Sequence, residues 1–402
     1  MKILVLAPKP PWPPLDGGAV ATMRCIEGMA AGGAELSLLA MQTEKHLSGV
    51  TTANPPASML RHYETVTVDT RIMPARLLAN LFFSSQPYDL IRFRSRTFSS
   101  ALRSLLLKEQ FDIIQCEGIP FIYYVGEIRK LSKAPVVLRA HNVEHRIREM
   151  MAGRTSDPFR MAYLKNLSGR IRKKEIAAAR IFDAIVPISE PDYQWFRSVA
   201  SGNPVILSET GAVLTDSVSE NPQGEMKVGF IGALNWEPNL DGLKWFMKDV
   251  WPHVIKSHPD AQLFIAGRGA SDEIAAQMRG TNVIFMGEVD DARTFMESMT
   301  VLIAPLFAGS GLRIKIIEAM SLGKTVVVTP VAALGLPVTG GKELFIAKDA
   351  ASFCSALTGA LESPAVRRTT GEAARELVRM RYDNLVQTGR MLEFYGTLCH
   401  GR

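Results

Sequence analysis

The segment from Val301 to Leu336 reads VLIAPLFAGSGLRIKIIEAMSLGKTVVVTPVAALGL. Its apolar runs and glycines predict a strand, a glycine-containing loop, a short helix over Leu312–Ser321, a second strand and another loop. Short apolar runs also alternate with longer helical patterns through the rest of the chain. This alternation indicates βαβ units, and therefore parallel sheets covered by helices on both faces.

The predicted strands fall into two series. Those of the first are Lys2–Ala7, Glu35–Met41, Val66–Asp69, Ile113–Cys116, Val136–Arg139 and Ala184–Pro187. Those of the second are Lys227–Ile231, Gln262–Ala266, Val283–Phe285, Val301–Ala304, Thr325–Thr329 and Leu344–Ala347. Long helical patterns lie between them, among them Asn239–Ile255 in the second series.

A change of composition separates the two series. Residues 208–225 are rich in serine, threonine, glycine, proline and acidic residues, which is typical of a linker. We therefore predict a Rossmann-like domain over residues 1–207, a second one over 226–382, and a C-terminal helix within 383–402. Two doubly wound domains in tandem are expected to face a cleft at the carboxyl ends of their strands, where ligands bind.

The amino-acid composition does not distinguish between several kinds of binding partner. The 402 residues have 47% hydrophobic and 21% charged content and a formal charge of +6. This is an ordinary globular composition with a mild basicity that suits a nucleotide diphosphate, an anionic membrane or a nucleic acid. The four cysteines form no C-x-x-C pair, which favours reduced thiols in a cytoplasmic protein. No stretch of about 18 apolar residues predicts a membrane-spanning helix, so any membrane contact would be peripheral.

Basic residues form two clusters, one at Arg92, Arg94 and Arg96, the other at Arg170, Arg172, Lys173 and Lys174. Such clusters are usually a solvated surface. The alternative is a rim that meets anionic lipid or a phosphate-bearing acceptor. No nucleic-acid motif or interleaved aromatic residues accompany them, which argues against a nucleic-acid partner.

The glycine-containing loop of the first segment predicts an anion site. Gly309, Ser310 and Gly311 directly precede the helix. Glycines let a ligand approach the backbone closely, and the unpaired N–H groups at a helix start, together with the helix dipole, attract anions. A diphosphate would fit there.

The helix itself carries three charged side chains. Lys315 and Glu318 fall about 60° apart on one face, at about 100° per residue. Lys315 could neutralise phosphate and Glu318 could accept hydrogen bonds from ribose hydroxyls. Alternatively the two form a surface i,i+3 pair that contributes about 0.2–0.5 kcal/mol. Arg313 projects into the apolar side, so it needs a partner or must reach out from the first turn.

Other motifs are weaker. His141 and His145 are four residues apart, which on a helix would suit a shared metal. His141, however, follows a predicted strand and no third ligand is evident, so a structural histidine or a substrate contact is favoured. Gly17 and Gly18 precede a second helical pattern. They predict either another phosphate site at a helix start or a simple turn. The chain lacks the G-x-G-x-x-G, P-loop and G-x-S-x-G motifs, which disfavours nicotinamide dehydrogenases, P-loop NTPases and hydrolases.

The run GSGLRIKIIEAMSLGKTVVVTPVAALGL resembles the donor-site signature of retaining family 4 glycosyltransferases, which have the GT-B fold. The resemblance extends to FIGALNWEPNLDGLKWF at Phe230–Phe246, to LFIAGRG at Leu263–Gly269, to RAHNVEH at Arg139–His145, and to the opening strand with PPWPPLDGG. It implies two Rossmann-like α/β domains, a donor site in the C-terminal domain, an acceptor site in the N-terminal domain, and a C-terminal helix packed on the N-terminal domain.

The resemblance also implies residue roles. Glu318 matches the acid that contacts the nucleotide ribose, and Lys315 matches a lysine near the phosphates. His141 matches the histidine beside the transferred sugar. Loop residues that match those around the sugar, diphosphate and base are Gly17, Gly18, Arg268, Gly309, Ser310, Gly311 and Leu312.

The chain departs from the family pattern in two places. The first signature acid, eight positions before Glu318, is replaced by Ser310. The arginine and lysine that follow the first strand of the second domain are replaced by Ala233 and Asn239. Arg313 and Lys315 therefore become the expected cations for the leaving diphosphate.

These features predict a metal-independent glycosyltransferase of the hexosyltransferase type that uses a nucleoside-diphosphate sugar. The acceptor would be a hydroxyl of a glycan or lipid-linked molecule in cell-surface polysaccharide or glycoconjugate synthesis. No cofactor is expected, because the chain has no D-x-D motif for a divalent metal ion. Side chains and helix ends can instead stabilise the negative charge on the leaving group. A GT-B-type epimerase or phosphorylase and a non-catalytic nucleotide-sugar-binding protein are the alternatives.

Overall fold

The computed structural model of the chain describes residues 1–14, 16–43, 55, 58–212, 214, 225–309 and 312–400. The chain divides into two compact units. Unit 1 is built mainly from Met1–Gly211 and Asn384–Arg402, and unit 2 mainly from Ala212–Gly309 and Arg313–Asp383.

Unit 1 contains a six-stranded parallel sheet. Its strands are β1 (Lys2–Ala7), β2 (Glu35–Gln42), β3 (His62–Thr67), β4 (Ile113–Glu117), β5 (Val136–Ala140) and β6 (Ala184–Pro187). The strand order is β3-β2-β1-β4-β5-β6, the doubly wound order of a dinucleotide-binding fold. Strands β1, β4, β5 and β6 are almost wholly buried, which explains their continuous apolar runs.

The third strand differs from the prediction over Val66–Asp69. It begins at His62, which pairs with Ser37, and ends at Thr67, which pairs with Gln42. This edge strand is half exposed, and its sequence HYETVT is mostly polar. A search for apolar runs therefore detects only its last residues.

Helices cover both faces of the unit 1 sheet. They are α1 (Gly17–Ala31), α2 (Pro74–Phe83), α3 (Tyr88–Ile91), α4 (Arg96–Lys108), α5 (Val125–Leu131), α6 (Glu144–Arg154), α7 (Pro158–Ile181) and α8 (Glu190–Val199), with a 3-10 turn at Ile119–Tyr123.

Unit 2 repeats the architecture. Its strands are β7 (Lys227–Ile231), β8 (Gln262–Ala266), β9 (Val283–Gly287), β10 (Val301–Ala304), β11 (Thr325–Val328) and β12 (Phe345–Ile346). All are parallel, in the order β12-β11-β10-β7-β8-β9. Its helices are α9 (Glu237–Trp245), α10 (Trp251–Ser257), α11 (Asp272–Gln277), α12 (Ala292–Glu297), α13 (Ile314–Ser321), α14 (Ala350–Glu362) and α15 (Pro364–Arg381).

One predicted helix of unit 2 is divided. Instead of a single helix over Asn239–Ile255, α9 leads through a π-helical turn at Phe246–Val250 into α10. Pro252 stands in the first turn of α10 and has no N–H to donate to the preceding turn. The predicted residues are helical, but the pattern of α-helical hydrogen bonds is interrupted before this proline.

The last helix, α16 (Asn384–His400), belongs to unit 1 and packs on α1. The Asn384 amide donates to the Arg24 carbonyl oxygen at 2.8 Å.

Part of the predicted linker, residues 213 and 215–224, lies outside the described residues. Its first residues are buried, and the Glu209 N–H donates to the Gln387 side chain at 3.2 Å.

Within the described part of the chain, no helix combines the length and the apolar character that crossing a bilayer requires.

Candidate active site

The strand order places a topological switch point between β1 and β4 in unit 1 and between β7 and β10 in unit 2. In doubly wound sheets ligands bind outside the carboxyl ends of the strands at such a point. Most of the predicted site residues follow β1 or β10 in the sequence, whereas His141 follows β5 and Arg268 follows β8.

In unit 1 the glycine pair begins α1 directly after β1. Gly17 is the first residue of α1, and the Asp16 carboxylate caps the helix by accepting from the Ala19 N–H at 2.9 Å. A Cβ added to Gly17 would meet no atom within 4 Å, so the backbone is accessible there. Lys9 forms an ion pair with Asp16 and lies 3.0 Å from where a Cβ on Gly18 would stand. The glycine loop thus has a cation beside it.

His141 follows β5 and is held by a buried carboxylate. Its Nε2 lies 2.5 Å from Glu117 Oε2, at the end of β4. The same oxygen accepts hydrogen bonds from Arg139 Nη1 at 3.0 Å and Thr22 Oγ1 at 3.1 Å. Glu117 and Arg139 are buried, whereas the His141 side chain is 17% exposed. The histidine is therefore the member of this cluster that a ligand can reach.

The charge of Glu117 fixes the tautomer of the histidine. Burial raises the pKa of the Glu117 carboxyl, but the Arg139 charge and the hydrogen bonds from His141 and Gln115 outweigh it, so the pKa falls to about 2. Glu117 is thus ionised at neutral pH and can only accept. We accordingly assign the proton of a neutral His141 to Nε2, which makes Nδ1 the accepting nitrogen.

A second layer of side chains supports the carboxylate. Gln115 donates to Glu117 through Nε2 and accepts from the Tyr395 hydroxyl at 2.7 Å. Burial raises the pKa of Tyr395 well above its usual value, so the hydroxyl stays a donor. Tyr395 lies on α16. A chain of hydrogen bonds therefore connects α16 through Gln115 and Glu117 to His141.

The second histidine has a separate role. His145 Nδ1 lies 2.5 Å from Glu175 Oε2, and both side chains are buried. Glu175 Oε1 also accepts from the Glu144 N–H at 2.7 Å, at the start of α6. His145 thus anchors α6 to α7. Among the described residues, no group of three or more His, Cys, Asp or Glu side chains could hold a metal ion.

At the unit 2 switch point, α9 and the loop after β10 approach closely. A Cβ on Gly242 would lie 1.7 Å from the Pro305 carbonyl oxygen, so any other residue would force the two segments apart. The buried Asn239 amide donates to the Ala233 carbonyl oxygen at 2.8 Å. Asn239 thus closes the turn after β7, where the family pattern has a cation.

Arg313 lies at the start of α13, against the glycine loop. Gly309 has a φ of 126°, in the region that favours glycine, and a Cβ there would lie 2.5 Å from Arg313 Nη2. The guanidinium carbon lies 5.9 Å from the ring centroid of Trp236. The loop after β7 and the helix after β10 thus meet through a cation–π contact. Ser310 and Gly311 lie outside the described residues.

Lys315 and Glu318 share one face of α13, with Lys315 Nζ 2.9 Å from Glu318 Oε2. Their side chains are 36% and 19% exposed, so both are accessible. Arg268 follows β8, and its carbonyl oxygen accepts from the Leu234 N–H at 2.8 Å. Leu312 is buried beside the start of α13. The structure therefore brings Lys315 and Glu318 onto α13. The predicted helix over Leu312–Ser321 starts two residues too early, because α13 begins at Ile314 and Arg313 is its non-helical N-cap residue.

Three candidate residues were missed from the sequence. Glu117 could have been found as an acid at the end of a buried strand, where doubly wound sheets bind ligands. Lys9 lacks any motif, and its position depends on the turn between β1 and α1. Trp236 stands in the matched segment Phe230–Phe246, but its contact with Arg313 joins residues 77 positions apart and has no local signal.

Comparison with known proteins identifies the C-terminal part first. Residues 225–363 match the model of glycosyl transferases group 1. A protein of Klebsiella pneumoniae, described as an uncharacterised 44.6 kDa protein in the cps region, is 24% identical over 362 residues, which are 88% of this chain and 89% of that protein. Phosphatidyl-myo-inositol mannosyltransferase of Mycobacterium leprae is 31% identical over 226 residues, 53% of this chain and 59% of that enzyme.

A solved structure extends the similarity to the whole chain. The Anabaena protein HepE, solved in complex with UDP and glucose, superposes with a TM-score of 0.66 at 15% identity over 99% of this chain and 100% of that chain. At this identity the likeness concerns the fold. It confirms the predicted GT-B class of two doubly wound parallel sheets.

Proposed function

We propose that the chain, which belongs to the glycosyl transferases group 1 family, moves a sugar from a nucleoside-diphosphate sugar to a hydroxyl group of a glycan or lipid-linked acceptor. Family membership makes it a glycosyltransferase. Donor class, acceptor and stereochemistry are our proposal. Its setting would be the synthesis of a surface polysaccharide or glycoconjugate, since relatives include a protein of a cps region and a mannosyltransferase.

One observation carries the donor assignment. Helix α13 starts at the switch point of unit 2, after the loop that contains Gly309. Arg313 is its N-cap residue, and Lys315 and Glu318 lie in its first turns. Cations and helix-start amides suit a diphosphate, and a carboxylate suits ribose hydroxyls. HepE, of the same fold, was solved with UDP.

In this proposal the charges of α13 divide between the two parts of the nucleotide. Glu318 accepts from the ribose hydroxyls, and the hydrogen bond from Lys315 keeps its carboxylate oriented. Lys315 and Arg313 also bind the diphosphate in this proposal. Since Asn239 fills the place of a family cation, these two side chains supply the positive charge that stabilises the negative charge developing on the leaving diphosphate.

In this proposal unit 1 binds the acceptor. His141, held by Glu117, offers Nδ1 as an acceptor to a sugar hydroxyl. Gly17, Gly18 and Lys9 border the place where an acceptor or a donor phosphate approaches β1. These residues position and orient the reactants.

The reaction we propose proceeds with retention. The bond between the anomeric carbon and the diphosphate oxygen breaks, and a bond to the acceptor oxygen forms on the same face of the sugar. The acceptor proton passes to the departing phosphate oxygen. No metal takes part in this scheme, so a chelator should leave the turnover number unchanged.

A ligand screen tests the proposal. UDP, GDP, ADP and their sugars are added to the purified chain, and the melting temperature is measured. A ligand present at 100 times its Kd stabilises the folded state by about 2.7 kcal/mol, which raises the melting temperature by several degrees. If none of these ligands raises the melting temperature, the donor assignment is contradicted. Product analysis then separates transfer from epimerase or phosphorylase activity, because only transfer releases free nucleotide with a longer acceptor.

Replacing Lys315 with alanine is expected to lower the turnover number by about tenfold to a hundredfold, because one cation is removed from the developing diphosphate charge. Folding should be unaffected, since a partly exposed i,i+3 pair contributes about 0.2–0.5 kcal/mol. Nucleotide release with the active donor and acceptor measures the effect. Arg379→Ala is the matched control, because Arg379 and Glu376 form another exposed i,i+3 pair. Equal turnover in the two variants would remove Lys315 from the site.

A further inference from the structure

Trp236 differs from the other tryptophans that the structure describes in unit 2. Trp251 belongs to the hydrophobic core of the unit and Trp245 packs against it, whereas Trp236 is not a member of that core. Its side chain is half-buried. Tryptophan is usually placed where its large ring contributes to packing, so a ring that stands outside the core at the edge of a candidate site calls for another role.

Trp236 and Arg313 occupy equivalent places on two neighbouring strands. Strands β7 and β10 are adjacent and parallel, and each leads into a helix at its carboxyl end. Trp236 is the N-cap residue of α9 and Arg313 is the N-cap residue of α13. Neither side chain makes a capping hydrogen bond to its own helix. The two side chains meet each other, with the guanidinium carbon 5.9 Å from the centroid of the indole ring.

The backbone around this contact is held by several interactions. The Asn239 amide donates to the Ala233 carbonyl oxygen at 2.8 Å and so closes the turn that carries Trp236. Helix α9, which follows that turn, packs so closely on the loop after β10 that a Cβ on Gly242 would lie 1.7 Å from the Pro305 carbonyl oxygen. The ring and the guanidinium therefore extend from two segments whose separation is fixed.

Gly309 leaves the space that the guanidinium occupies. A Cβ at this position would lie 2.5 Å from Arg313 Nη2 and 3.1 Å from the guanidinium carbon. Its φ of 126° is also one that other residues rarely adopt. The Arg313 head group is thus confined by the Trp236 ring and by the backbone at residue 309.

The contact with the ring orients a cation without neutralising it. Lys315 lies 2.9 Å from the Glu318 carboxylate, so part of its positive charge is offset. The indole ring of Trp236 carries no net charge, so its attraction for Arg313 leaves the full charge of the guanidinium in place. An arginine that lies over an aromatic face can still donate from the N–H groups at its rim, and this fork matches phosphate oxygens.

We propose that Trp236 is a positioning residue, which holds the Arg313 guanidinium in the conformation that binds the donor diphosphate. This inference rests on the proposed function, in which Arg313 binds that diphosphate. Trp236 acts through the arginine and does not itself contact the nucleotide. Holding a long side chain in its binding conformation lowers the entropy lost when the diphosphate binds.

A double-mutant cycle measured on the full chain tests this role. UDP, GDP and ADP are titrated calorimetrically into wild type, and the nucleotide that binds most tightly is used throughout. Arg313→Met should weaken its binding by at least about tenfold, because a charged hydrogen-bond donor to the diphosphate is lost. Trp236→Leu should weaken it by about threefold to tenfold, the size of a cation–π contact. In the Arg313→Met background, Trp236→Leu should have less than about a twofold further effect, because the residue it positions is gone.

Two further variants separate positioning from a structural role. Trp236→Phe should bind within about twofold of wild type, since a phenyl ring also attracts a cation through its face. Phe264→Leu is the matched control, because the Phe264 ring centroid lies 6.0 Å from Lys227 Nζ at the start of β7 in the same unit. It should leave the Kd unchanged. Melting temperatures without ligand close to that of wild type show that the variants are folded.

The outcomes separate this inference from the proposed function. Binding of none of the three nucleotides to wild type, or equal Kd values for wild type and Arg313→Met, would contradict the donor role of Arg313 and with it the inference. Weak binding by Arg313→Met together with wild-type binding by Trp236→Leu would overturn only the positioning role. An equal loss from Trp236→Leu in both backgrounds would also overturn it, because the ring would then act on the nucleotide or the fold independently of Arg313.

Discussion

Replacing Arg139 with methionine is expected to lower the free energy of unfolding by about 3–5 kcal/mol, because the substitution leaves Glu117 charged and buried without its cation. The two side chains are 2% and 0% exposed, and Glu117 Oε2 lies 3.0 Å from Arg139 Nη1. Removing one partner of a buried pair costs far more than the pair is worth as a whole. Equilibrium denaturation measured by circular dichroism gives the change.

The control for Arg139 is a surface pair of the same unit. Arg129 lies 3.3 Å from Asp183 with a half-exposed side chain, and Arg129→Met should cost at most about 1 kcal/mol. Adding Glu117→Gln to Arg139→Met should recover part of the loss, since the orphaned charge is removed. A loss for Arg139→Met no larger than that of the Arg129 control would show that the buried network does not organise this part of unit 1.

Replacing Glu318 with alanine is expected to weaken nucleotide binding by about a hundredfold. A hydrogen bond to a charged group contributes about 1.5–3 kcal/mol, and about 2.7 kcal/mol corresponds to a hundredfold change in Kd. Titration calorimetry with the nucleotide that most raises the melting temperature measures the loss. Glu318→Gln should fall between alanine and wild type, because the amide oxygen can still accept from one hydroxyl.

Glu376→Ala is the matched control for Glu318, because Glu376 belongs to an exposed i,i+3 pair on α15 in the same unit. It should leave the Kd unchanged. A Glu318→Ala variant that binds the nucleotide as tightly as this control would place the ribose elsewhere. Since Glu318 also holds Lys315, the melting temperature without ligand confirms that both variants are folded.

The regular parts of the fold followed from local sequence patterns. Strands β1, β6, β7, β8 and β10 were predicted with their observed bounds, because continuous apolar runs mark strands buried on both faces. The start of the edge strand β3 was not, since its polar residues give no such run. The break between α9 and α10 was also missed, although Pro252 offered a signal for it.

The candidate site was harder to predict, because its contacts join distant positions. Glu117 and His141 are 24 residues apart, and Tyr395 lies 280 residues from Gln115. No local pattern reports such pairs. The family resemblance singled out His141, whose role stays a prediction. The buried Glu117 carboxylate that sets its tautomer comes beside it only when the sheet forms.

On α13, the position of the charged residues could be predicted from the sequence, but their role could not. The sequence left two readings of Lys315 and Glu318, a surface pair or a nucleotide site, and the structure contains the pair at 2.9 Å with both side chains accessible. An accessible ion pair on a helix at a switch point is compatible with either. Their roles in donor binding therefore stay a prediction.

Hydrogen–deuterium exchange with and without saturating UDP, GDP or ADP tests most directly whether a nucleoside diphosphate binds at the start of α13. We predict that the nucleotide which raises the melting temperature slows exchange most strongly in peptides that cover residues 305–321, with the Glu318→Ala variant losing that protection. Protection confined to other peptides, such as those around Gly17 and Gly18, with residues 305–321 exchanging at the ligand-free rate, would contradict the account.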